Sequence, residues 1–120
     1  MPRPLVVKVT CGADDRERCN QGFTVAATAL AAGAEVSLWL TGEAAWFGVP
    51  GRAEEFSLPL ATPLADLLEA VLGGGQVTVC SQCAGRRGID AEDVRAGIRI
   101  AGAAVFTEEV LRADAQALVY

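Results

Sequence analysis

The chain has 120 residues, ten basic and fifteen acidic, and 52% of it is hydrophobic. That length fits one domain over residues 1–120, and a pI near 4.6 leaves no basic stripe to bind nucleic acid or an anionic membrane. Histidine is absent, which excludes Ser-His-Asp and Cys-His nucleophile pairs, histidine bases and every histidine-containing zinc site.

Mean hydropathy is +0.32, yet the longest apolar stretch, Phe23 to Leu40, is interrupted by Thr24, Thr28, Gly33, Glu35 and Ser37, too soon to span a bilayer. Met1-Pro2-Arg3-Pro4 leads into no apolar region of signal-peptide length before Cys11, so a cytoplasmic protein is expected. Four cysteines in such a chain point to thiol chemistry or metal before structural disulfides.

Leu5 to Thr10 reads as a mostly apolar strand ended by Cys11-Gly12. Asp14 or Asp15 then caps a helix running to about Ala32, with Gly33 as its left-handed stop. Glu35 to Leu40 is a second strand, and Thr41 to Leu60 an irregular stretch carrying Trp46, Phe47, Pro50 and Pro59. Thr62-Pro63 supplies an N-cap and a first-turn proline to a helix whose Leu64, Leu67, Leu68, Val71 and Leu72 form one apolar face, ended by Gly73-Gly74-Gly75. Gln76 to Val79 is a short strand that runs into a loop, Cys80 to Ile89. Asp90 caps a short helix that Gly97 stops; Ile98 to Ala101 is a strand, Ala103 to about Arg112 a helix, and Ala115 to Val119 the last strand. Apolar strands alternating with helices predict a three-layer α/β/α sandwich around a five-stranded, mainly parallel sheet.

Ligands of open parallel sheets bind beyond the carboxyl ends of the strands, the rim on which Cys11 and Cys80 both fall. Cys80 is the stronger candidate nucleophile, because it ends a strand amid small residues and precedes Arg86 and Arg87, the only adjacent basic pair. Backbone N–H groups and positive charge there would favour a thiolate or another anionic sulfur species. Against this stand a buried inert cysteine and a pair of solvated loop arginines. Cys80-Ser81-Gln82-Cys83 is a C-x-x-C motif, which alone supports a redox dithiol, half a zinc site, or an attacking cysteine with a resolving partner. No proline is placed as a thioredoxin-like site needs. Cys11, Cys19, Cys80 and Cys83 would together suffice for zinc or an iron–sulfur cluster, although seven residues between Cys11 and Cys19 is not a knuckle spacing. Cys11 is otherwise a second thiol near Cys80 or a small residue in a tight turn. A phosphate loop at Cys11-Gly12-Ala13-Asp14-Asp15 is disfavoured, since it lacks G-x-G-x-x-G and its acids would repel phosphate. Trp46 and Phe47 line an entrance, meet a neighbouring subunit, or cover the domain's own core.

The third strand running into Cys80-Ser81-Gln82-Cys83, then Arg87-Gly88-Ile89, Ala96 to Gly102 and Ala113-Asp114, resembles the DsrE/DsrF-like family. So does the beginning, with Gly12-Ala13-Asp14-Asp15, Arg18, an alanine-rich helix and a strand ending near Leu40-Thr41-Gly42. The resemblance spans essentially the whole chain and implies a small α/β/α protein that assembles as a trimer or hexamer. It implies sulfur relay, a sulfurtransferase-type role in which Cys80 takes persulfide sulfur from a donor protein and hands it to an acceptor protein. Cys83 matches a second cysteine of some branches and would be an accessory thiol that resolves or shuttles the sulfur. Read from the residues rather than the resemblance, Arg86, Arg87 and Cys11 stand around the substrate, with no cofactor; Cys11 and Cys19 match no shared feature of the family. The alternatives are a zinc or iron–sulfur module on the four cysteines and a non-catalytic oligomeric scaffold that binds a small ligand or partner.

Overall fold

The fold is built outward from two central strands, β1 (Pro4–Val9) and β2 (Glu35–Leu40), in a computed structural model that describes residues 2–120. With β3 (Gln76–Cys80), β4 (Ile98–Ala101) and β5 (Gln116–Val119) they form one sheet in the order β4-β3-β2-β1-β5, every neighbouring pair parallel. The expected five-stranded α/β/α sandwich is present. Helices α1 (Arg16–Ala31) and α3 (Leu64–Gly74) pack side by side on one face. The chain steps β1, β2, β3, β4 toward one edge and then returns to β5 at the other. Right-handed crossovers therefore put the last helix, α5 (Ala103–Val110), on the opposite face.

Side chains alternate across a strand, so register sorts the sheet into two faces of different character. Val7, Val9, Leu38, Leu40, Val77 and Val79 point toward α1 and α3 and are buried against Phe23, Leu64, Leu68 and Val71. The other parity aligns Lys8, Trp39, Thr78 and Arg99 in one row beneath α5. There the Glu109 carboxylate accepts from Ser37 Oγ at 2.6 Å, from Trp39 Nε1 at 2.9 Å and from Arg99, whose Nε also donates to Thr78 at 2.7 Å. Burial alone would raise the Glu109 pKa; these donors outweigh it and hold the carboxyl below the usual range.

The long helices follow the expected signals, and three short helical elements are added. Asp15 accepts from the Arg18 N–H at the start of α1, and Gly33, at φ +99°, follows its end. At α3 the cap is Pro63, one residue later than expected, because Thr62 turns its carbonyl to Asn20. Asp90 does cap a helical turn, but only the short 3-10 segment Ala91–Asp93. The stretch expected to be irregular holds a 3-10 helix, Gly42–Gly48, and the single turn α2 (Arg52–Glu55). Phe47 anchors both, meeting Phe23 and Phe56 edge-on at 6.0 and 5.6 Å, so it covers the domain's own core. The Cys80 loop is also helical: α4 (Ser81–Arg86) starts directly from β3, and Arg87 holds its last turn from outside. Among the described residues, no helix is long and apolar enough to cross a membrane.

Candidate functional site

Cys80 ends β3 with the parity of Thr78, so its side chain lies on the α5 face, half-buried, at the carboxyl rim. It opens into a cavity of about 260 Å³ lined by Lys8, Trp39, Thr41, Gly42, Cys83 and Phe106, among others. Burial works against a charged sulfur here. The Cys83 N–H, the Cys83 thiol, the Gln82 N–H and the Lys8 ammonium together outweigh it, and the Cys80 pKa lies below that of an ordinary thiol.

Lys8 is the chain's single lysine. Its ammonium stands 4.9 Å from the centre of the Phe106 ring and pairs with no carboxylate among the described residues. Phe106 in turn meets Trp39 edge-on at 5.3 Å. The cavity therefore offers an anionic sulfur one fixed positive charge between apolar walls, where the charge is weakly screened by water. The sequence carried a signal for this residue: a lone lysine interrupts the apolar run Leu-Val-Val-Lys-Val.

Cys83 lies on α4, buried, its Sγ accepting from the Gly42 N–H at 3.2 Å. Gly42 has φ +53°, and a Cβ there would collide with the Thr10 carbonyl, so only glycine lets this backbone reach the sulfur. Arg87 donates from Nη1 to the Cys83 carbonyl at 3.2 Å, and from Nε and Nη2 to Glu43 at 3.0 and 2.7 Å. The guanidinium is thus engaged in holding α4 to the 3-10 helix. Arg86 is exposed at the end of α4, and neither arginine lines the cavity.

Cys11 and Cys19 lie elsewhere. Both are buried in the core on the α1 side, and β2 separates β1 from β3. Burial, reinforced by Asp15 and Asp14 against the opposing Arg18, raises the Cys11 pKa; burial with Cys11 and the same aspartates drives Cys19 far higher. Both therefore lack the lowered pKa that favours a nucleophilic thiolate. Among the described residues, no three Cys, Asp or Glu side chains gather as a metal would require, so the four cysteines do not form one ligand set.

No curated protein matches the sequence significantly. Two of the solved structures that share the fold illustrate the likeness. The YchN protein of E. coli superposes with a TM-score of 0.81 at 19% identity, over 100% of both chains. MTH1491 of Methanobacterium thermoautotrophicum, described as a protein of unknown function, gives 0.70 at 11% identity over 98% of this chain and 99% of its own. The DsrE/DsrF-like family model matches residues 5–116, from the first strand through the cysteine-bearing β3–α4 turn to the start of the last strand, and the chain belongs to that family.

Proposed function

We propose that this protein is a sulfur-relay carrier that holds persulfide sulfur on Cys80. The observation that carries the reading is the shared cavity, in which a thiol of lowered pKa lies with the ammonium of Lys8. Membership of a family of sulfur-relay type supports it. The Cys80 thiolate attacks the outer sulfur of a donor persulfide, R–S–S–H. The donor's S–S bond breaks, R–S⁻ leaves with the bonding pair, and Cys80–S–S–H remains and ionises beside Lys8. An acceptor thiolate then takes the outer sulfur and releases the Cys80 thiolate. No histidine base is needed, because the leaving thiolate is stable without one. Donor and acceptor are proteins of the cytoplasm, where thiols stay reduced, and the carrier works as a homo-oligomer of three or six copies.

The test is intact mass under denaturing conditions, before and after exposure to a cysteine desulfurase with cysteine. Wild type gains one sulfur and Cys80→Ser gains none. Equal loading of the two proteins would sink the proposal.

A further inference from the structure

The resemblance leaves Cys83 as a second working thiol, one that resolves or shuttles sulfur, but its surroundings describe a different part. Its sulfur already accepts from Gly42, and its carbonyl is held by Arg87, itself fixed by two bonds to Glu43. All these contacts converge from one turn, Thr41 to Glu43, where Thr41 is tied to the Val9 carbonyl through both N and Oγ1, at 2.9 and 3.1 Å. With the sulfur's acceptor side occupied, its S–H is the group left to donate. Cys80, the N-cap of α4, and Cys83, in its first turn, line the same cavity, so the Cys80 sulfur is the acceptor within reach.

We propose that Gly42, Glu43 and Arg87 form a clamp that fixes Cys83 as a hydrogen-bond donor to the Cys80 sulfur, so that Cys83 is a positioning residue and carries no sulfur itself. This rests on Cys80 being the reactive thiol. It accounts for three features together: a glycine that admits no side chain, an ion pair spanning 44 residues, and a buried second cysteine. The lowered pKa of Cys80, to which the Cys83 thiol contributes, agrees with it. The competing role is resolution. There, Cys83 sulfur attacks Cys80 Sγ, hydrosulfide leaves with the bonding pair, and a Cys80–Cys83 disulfide forms.

Wild type, Cys83→Ala, Cys83→Ser and Glu43→Gln are alkylated with iodoacetamide across a pH series, with peptide mass locating the adduct. The same proteins are loaded by desulfurase with cysteine and followed by intact mass. Alkylation of Cys80 at neutral pH falls about tenfold in Cys83→Ala, because the thiolate loses a donor. In Cys83→Ser it stays within about twofold of wild type, since the hydroxyl donates in place of the thiol. Glu43→Gln, with both cysteines intact, moves the rate in the direction of Cys83→Ala. Failure of serine to rescue overturns the inference. So does wild type that sheds its sulfur as a protein two hydrogens lighter while both Cys83 variants keep theirs. If no protein takes up sulfur, the carrier reading fails, and the alkylation series still decides the clamp.

Discussion

Lys8 governs the charge of the site from the centre of an apolar strand. Half-buried on β1 and separated from β3 by β2, it reaches the Cys80 cavity because register places it on the same face, in the row of Trp39 and Thr78, two residues short of the cysteine. Replacing it with the unbranched, uncharged methionine, one atom shorter, removes the positive charge and keeps apolar packing toward Phe106. In Lys8→Met, the pH midpoint for alkylation of Cys80 rises toward that of a free thiol, because the thiolate loses its counter-charge. Folded stability stays within about 1 kcal/mol of wild type, as no ion pair is broken. A midpoint unmoved from wild type would assign the acidity of Cys80 to α4 alone, its N–H groups and the Cys83 thiol. Cys80 itself was legible in the sequence, since an apolar run ending at a cysteine puts that cysteine on the rim. Lys8 was legible only as a lone charge in an apolar strand, because its nearness to Cys80 depends on strand order. Arg87 misled for the same reason: adjacency to Cys80 in sequence suggested an anion holder, whereas its partner is Glu43, 44 residues away.

Among the elements, α5 depends most on side-chain polar contacts. None of its residues is fully buried, and it is held to the sheet by Phe106 against Trp39 and by Glu109 among Ser37, Trp39 and Arg99. Since α5 walls the Cys80 cavity with Ala103 and Phe106, Glu109 acts on the site through the helix. A carboxylate whose folded pKa is depressed stabilises above its unfolded pKa, and that contribution is lost as pH falls through the folded value. Glu109→Gln therefore costs about 2 kcal/mol at neutral pH. The gap to wild type narrows below the ordinary carboxylate range near pH ~4. Denaturant midpoints across pH test this, and a gap that widens in acid contradicts it. Strands and long helices were readable because apolar runs and glycine stops are local. The 3-10 helix and α4 were not, since both are held by contacts from distant segments: Phe23 on Phe47, and Glu43 on Arg87.

On the scale of the whole molecule, the β5 edge is the least finished part. All four residues of β5 are exposed, Val119 at 64%, and Leu111 beyond α5 is 77% exposed. An open, apolar edge strand suits association with further copies. The expected native mass is three or six times 12.4 kDa, and Val119→Glu shifts it toward the monomer without lowering the helix content seen by circular dichroism. A wild-type protein that remains monomeric at tens of micromolar, an order-of-magnitude choice for weak association, rules out the assembly. The two parities of the sheet carry a consequence for how such a protein changes over time. Val7 and Leu38 keep the domain folded, while Lys8 and Trp39, each the next residue in its strand, line the Cys80 cavity. Natural variation can therefore redraw the chemistry at a lining position such as Lys8, which makes no side-chain hydrogen bond among the described residues, while the alternate positions preserve the scaffold. Trp39 is less free, because the same side chain that lines the cavity also holds α5.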